Sequence, residues 1–401
     1  MPSKDMGGTR RRRAKHSFRT LGRERTASFG SSGRRPVALY ALIVLAVMMA
    51  AVAAVQFVPG GMEESSADAF TINLGGSTNV TGATWSGNTL TFSTAANSHI
   101  YTFTGTRAIL SVVFPTGVTT TVIMNGVTAS SNGTITLNGT ANITLLLEGT
   151  NSIKGHIVVA STASITIDST TPGSSRGSLT VTPFSENIAG IGGKNEDGLT
   201  TTPGNTGKIT INGGTVTATG GKFAAGIGGG TYGNGTIIIN GGKVTATGGS
   251  EGAGIGSGYN VAGGSITING GDVTATGGGR GAGIGGGYGG AGGNVTISGG
   301  TVNASGSAGG GAGIGGGVGI GGADTAGATL TIGSNAEVKA YSAGSLPAIH
   351  VSSVAGASTG YYVNACFSNA ISSTQTTTMA VFKKEDPSAS VGALELPPDN
   401  K

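Results

Sequence analysis

The chain has 401 residues, including 79 glycines, 11 prolines and one cysteine; charged residues make up 10% and the net charge is +5. Glycine is nearly three times its usual share of about 7%, and charge is well below its usual share of about 25%. Collagen needs a strict glycine period with abundant proline, a disulfide scaffold needs many cysteines, and a charge-rich disordered chain does not have a mean hydropathy of +0.13, so all three are excluded.

Residues 1–35 form a basic tail. They hold eleven Lys and Arg, including the run from Arg10 to Arg13, against Asp5 and Glu24. The rest of the chain holds twelve basic and sixteen acidic residues. The high pI of 9.3 therefore describes the tail and not a nucleic-acid-binding surface, and no nucleic-acid partner is expected. Residues 36–58 follow, bracketed by Pro36 and Pro59, with no charge between Val37 and Val58. About 20 apolar residues span a bilayer as a helix, so a transmembrane signal anchor over 36–58 is predicted, with the membrane as its partner. The cations before it and Glu63, Glu64 and Asp68 after it place the tail in the cytoplasm and the remainder outside. The expected location is the cell membrane, single-pass. The alternative is a cleaved signal peptide, with Ala67-Asp68-Ala69 as the small-x-small site and a secreted product. Residues 59–69 read as a linker.

Residues 70–130 are β-rich but not repetitive, with Phe70 to Leu74, Asn88 to Phe92, Ile100 to Phe103 and Val118 to Met124. They are expected to form an N-terminal cap and the first coils. Residues 131–350 repeat. One unit reads Ile209-Thr-Ile211-Asn-Gly-Gly, then Val216-Thr-Ala-Thr219-Gly-Gly, then Ala225-Gly-Ile227-Gly-Gly-Gly. It returns from Ile237, Ile266 and Val295, and in worn form from Leu330. Within each segment the apolar period is two, as in half-buried strands. Three short strands cannot bury one face alone, but stacked copies can. The fold class predicted is all-β: a three-sheet parallel β-helix of about 28–29 residues per coil, preceded by one transmembrane helix. Ile209, Ile237, Ile266 and Val295 form one interior column, and Ile227, Ile255, Ile284 and Ile314 another. Glycine pairs mark the corners, where positive φ is needed. Residues 351–382 read as a C-terminal β cap and 383–401 as a loose tail.

Stacking turns sequence positions into columns. Lys243 is expected beside Asp272, and Glu251 beside Arg280, as rung-to-rung pairs of small energetic weight. Asn212, Asn240 and Asn269 should hydrogen-bond along a corner. Thr217, Thr245 and Thr274, with Thr219, Thr247 and Thr276, are strand formers on a wet face. Tyr232, Tyr259 and Tyr288 follow the third strand, with Val318 in the fourth copy. An exposed tyrosine column offers rigid apolar faces and hydroxyls to sugar rings. These three are the candidate carbohydrate-binding residues.

Enzymatic readings fail on inventory. Glycosidases need paired carboxylates, yet Glu251, Asp272, Asp324 and Glu337 fall in different registers. The Gly-x-Gly-x-x-Gly matches lack the strand-to-helix context of a dinucleotide site. His99, His156 and His350 are isolated. No catalytic residue, metal site or cofactor is expected, and a polysaccharide-degrading β-helix is the disfavoured alternative.

The repeat Ile266-Thr-Ile-Asn-Gly-Gly-Asp-Val-Thr-Ala-Thr-Gly-Gly, followed by Gly281-Ala-Gly-Ile-Gly-Gly-Gly287, resembles a family of prokaryotic surface proteins. Asn142 to Asn151 and Thr119 to Val127 look like that family's early coils. The family carries glycine-rich right-handed β-helix repeats and is often labelled carbohydrate-binding. The resemblance spans about residues 70–382. It implies a non-enzymatic surface protein that binds a polysaccharide or another surface protein, or mediates adhesion. Calcium-assisted binding of acidic polysaccharides, implicated for some relatives, has no acidic cluster here to carry it. A purely structural envelope or stalk protein is the second expectation.

Overall fold

The computed structural model describes residues 68–195, 197, 202–322, 325, 327, 329–355, 362–363 and 378–382. Over these residues the chain winds as a parallel β-helix with three sheets. The first sheet stacks Ala69–Asn73, Ile100–Arg107, the start of Thr119–Leu137, Asn142–Glu148, Ser164–Ser169 and Lys208–Ile211. It continues through Thr236–Ile239, Ser265–Ile268, Asn294–Ser305 and Thr329–Ser342 to Ser353–Ala355. The second sheet includes Thr150–Val159, Ser178–Thr182, Thr215–Thr219, Lys243–Thr247 and Asp272–Thr276, then the ends of the two long strands just named. The third begins at Thr89–Phe92 and Ser111–Phe114 and becomes two-residue Ile-Gly strands at 191, 227, 255, 284 and 314.

Antiparallel pairings flank the parallel coils. Near the N-terminal end, Ala83–Ser86 folds back on Thr89–Phe92. Near the C-terminal end, Thr378–Phe382 runs antiparallel to Val338 through Ser342.

The fold differs from the sequence expectation in two respects. The predicted transmembrane helix has no counterpart among the described residues. Among the described residues no helix is long and apolar enough to cross a membrane, and the helical turns are the three-residue segments Thr94–Ala96 and Ile320–Gly322. Residues 36–58 lie outside the described residues, as do the basic tail and Cys366. The coil length is also not uniform. The step of 28–29 residues holds between Ile209, Ile237, Ile266 and Val295. The earlier coils are shorter, with Thr121, Thr144 and Thr166 in one column, and the step from Ile165 to Ile209 is longer. The cause lies in the corners. Each long coil adds a glycine-rich loop that bonds to the loop of the coil before it, as in Gly249 N–H to Ala224 O and Gly258 N–H to Gly233 O.

The interior follows the alternation. Leu145, Ile167, Ile211, Ile239, Ile268 and Ile297 form a continuous buried column in the first sheet. Val216, Val244, Val273 and Val302 line the second, with Ala218, Ala246, Ala275 and Ala304 beside them. Small alanines on this wall leave room for the isoleucine column of the third. The N-terminal coils are filled differently, with Phe92, Tyr101, Phe103 and Phe114 buried together; Phe92 stacks on Phe114 at 4.5 Å. Tyr101 donates its hydroxyl to Thr81 O, and burial pushes its phenol up to about 12.

Asn151 and Arg107 satisfy their polar groups within the fold, as a low-dielectric interior favours. Asn151 sits at a corner with no exposure. Its amide donates to Met124 O, Glu148 O and Ser178 O, and its carbonyl accepts from Val127 N–H. Arg107 fastens the first loops, donating to Leu74 O, Gly76 O, Gly87 O and Asn88 Oδ1 while its guanidinium lies 4.5 Å over Trp85. Asn212, Asn240 and Asn269 form the expected amide chain, each link 2.8 Å.

The third sheet depends on glycine for a steric reason. Gly228, Gly256, Gly285 and Gly315 have φ between 130° and 138°, and each faces the carbonyl of the next coil. A methyl group on Gly256 would run into Gly285 O. Gly256→Ala should therefore lose about 3 kcal/mol or more in urea unfolding, through disallowed φ and the clash together.

His156 is fully buried where the third sheet meets the loop that follows Thr182. Its Nδ1 lies 2.9 Å from Ala189 O, and its Nε2 accepts from Ser185 N–H at 3.2 Å and Phe184 N–H at 3.4 Å. The neutral ring with the proton on Nδ1 satisfies all three. Burial lowers its pKa from 6.5, with the nearby Lys194 acting in the same direction and the Ala189 bond opposing. The unfolded chain takes up a proton near pH 6.5 and the native chain does not. The contribution of His156 to stability should thus be complete above pH 6.5 and fall as pH drops below it. Urea midpoints across this range should show that slope, and His156→Gln should remove it.

Candidate functional site

The third-sheet strands end in a turn of glycines, and the residue after this turn projects from the corner. Its backbone is set by the loop after the second sheet. Tyr259 N–H donates to Phe223 O, Tyr288 N–H to Glu251 O and Val318 N–H to Arg280 O. The equivalent bond one coil earlier is Thr231 N–H to Asn187 O. Thr231, Tyr259, Tyr288 and Val318 therefore share one coil position.

This corrects the tyrosine column. Tyr232 is one residue out of phase and aligns with Asn260, which in turn donates to Tyr288 O as Tyr232 does to Tyr259 O. Both residues take the left-handed conformation, with φ of 55° at Tyr232 and 56° at Asn260. A bulky residue there is uncommon and marks a constrained position. The result is that the Tyr232 ring still reaches its neighbours. Its centroid lies 5.4 Å from that of Tyr259, with the planes at 71°. Tyr259 and Tyr288 are 5.8 Å apart at 51°. The spacing reads as a column because a shifted residue with a shifted backbone restores it.

A fourth ring belongs to the set. Phe223 contacts Tyr259 edge-on at 6.1 Å. In the sequence it falls in the column with Glu251 and Arg280, and only the carbonyl of that column bonding the tyrosine N–H groups reveals its place. All four rings are half-buried. Cations lie against two of them: Lys222 Nζ is 4.6 Å from Phe223 and the Arg280 guanidinium 4.6 Å from Tyr288. Arg280 is thus drawn to a ring, worth about 0.5–1 kcal/mol at an exposed site. The phenol of Tyr259 is held above its usual value by burial first, then by Tyr232, Glu251 and Tyr288. It stays protonated near neutrality and can donate a hydrogen bond.

The other columns stand as expected in register. Lys243 pairs with Asp272 in the second sheet. Thr217, Thr245 and Thr274 align, as do Thr219, Thr247 and Thr276. Among the described residues no group of three or more His, Cys, Asp or Glu could hold a metal ion.

A family model described as the beta helix repeat matches residues 209–231, 237–259 and 266–288. The three segments end at Thr231, Tyr259 and Tyr288, the same phase that the hydrogen bonds give. No curated protein and no solved structure matches the chain. Residues 209–288 thus carry three repeats of the parallel beta helix type, each spanning from a first-sheet isoleucine to the corner residue.

Proposed function

We propose that this β-helix is a non-catalytic carbohydrate-binding protein that works outside the cytoplasm and meets its ligand through Tyr232, Tyr259, Tyr288 and Phe223. One observation carries the reading: Phe223, Tyr232 and Tyr288 each contact Tyr259, and the four half-buried rings form a ribbon on one corner of three successive coils. Aromatic faces combined with a few fixed polar groups are the chemistry that holds sugar rings. Glu251, Arg280 and the Tyr259 hydroxyl supply the polar groups. A binding role and not a hydrolytic one is supported by the placement of the repeat's acids. Asp272 opens a second-sheet strand, while Glu251 lies in the loop leading to the third. They do not form the facing pair that glycoside hydrolysis requires.

A structural stalk is the second reading, favoured by the contacts of the rings with one another, which stabilise a corner without any ligand. The two readings diverge on a glycan array. The full chain should bind at least one glycan class, and joint replacement of Tyr232, Tyr259 and Tyr288 by Ala should weaken that binding at least about tenfold. Circular dichroism should confirm that the variant keeps its strand content. Binding that is unchanged in the triple variant excludes the ribbon, and absence of binding to any glycan leaves the stalk.

A further inference from the structure

We propose that the ribbon's ligand is one chain of uncharged β-1,4-linked pyranose sugars lying along the axis of the β-helix, with successive sugars over Tyr232, Tyr259 and Tyr288. The inference rests on the carbohydrate-binding reading and adds orientation, linkage class and length.

The first argument is spacing. The ring centroids lie 5.4 and 5.8 Å apart, and successive rings belong to successive coils. The rise between coils is set by backbone pairing at about 4.8 Å. This step is close to the advance of one sugar in an extended β-1,4 chain. Ribbon and polymer therefore share a period when their axes are parallel. A glycan crossing the ribbon would touch one ring only.

The second argument is tilt. The rings are turned by 71° and 51° from one to the next. They form no common plane, so the flat face of a crystalline polysaccharide would meet a single ring. A single chain can rotate each sugar about its axis and follow them.

The third argument is the flank. Glu251 and Arg280 are successive members of the loop column whose carbonyls anchor Tyr288 and Val318. One offers acceptors and the other donors to ring hydroxyls. Their opposite charges suit a ligand without charge. The series also has an end: Val318 takes the corner position after Tyr288, and Ile320 is exposed beyond it. The ribbon therefore holds three sugars.

Calorimetric titration of the full chain with soluble cello- and chito-oligosaccharides of one to six sugars tests this. In at least one series, affinity should rise about fivefold per added sugar up to three, and by less than about twofold beyond four. Tyr288→Ala should move the plateau from three sugars to two. Tyr259→Ala should reduce every length to the affinity of the monosaccharide, and Tyr259→Phe should restore the length dependence. Affinity independent of length overturns the proposal. So does stronger binding to crystalline cellulose or chitin than to the soluble hexamers. Failure of both series, in a protein that binds other glycans on the array, also overturns it while the carbohydrate-binding reading stands. Failure on every glycan overturns both.

Discussion

Each coil gives its main-chain N–H and C=O groups to the coils above and below, in parallel pairing that keeps one register from Lys208 to Ile297. Every other feature follows from that constraint. Constant register makes each coil position a column. A column of isoleucine becomes a wall of the core, a column of asparagine becomes a hydrogen-bonded chain, and a column of glycine becomes a surface on which one backbone can rest directly on the next. The core is narrow, and the ladders between coils carry much of the order that a globular domain would draw from its interior.

The same constraint explains why the architecture was legible and where legibility stopped. The apolar positions Ile209, Val216 and Ile227 recur in phase, and all three lie on the interior walls of the coil that they mark. Lys243 beside Asp272 and the asparagine chain follow from counting. The uneven coil lengths do not, because the early units carry large aromatic side chains and short turns, and the glycine signature is absent there. Tyr232 misled for a related reason. Aligning copies by their tyrosines gives a straight column, whereas aligning them by the glycines after Ile227, Ile255 and Ile284 puts Thr231 at the tyrosine position. The glycines are the better guide, since steric necessity fixes them and a surface ring can be shifted. Phe223 escaped because its partner is a residue from the following coil, reached across a loop contact that no periodicity encodes.

The ribbon and the core obey different rules within one repeat. In the glycine-rich coils the wall positions of the three sheets hold isoleucine, valine and alanine. The corner position accepts threonine, tyrosine or valine, since Thr231, Tyr259, Tyr288 and Val318 occupy it with the same main-chain bond. Surface chemistry can therefore change at the corner while the walls stay fixed. The loop between the two, with Lys222, Glu251 and Arg280, shares this freedom and lies close enough to act on the rings.

The antiparallel pairings at the two ends of the helix bear on how such molecules behave in a crowd. A stack of parallel coils offers an open strand edge at each end, and a second copy could continue the ladder without any change of geometry. Ala83–Ser86 near one end and Thr378–Phe382 near the other run against the direction that a continuing coil would need. Each reversed strand covers an edge that a further parallel coil would pair with, in the third sheet at one end and in the second at the other, and blocks continuation of the ladder there.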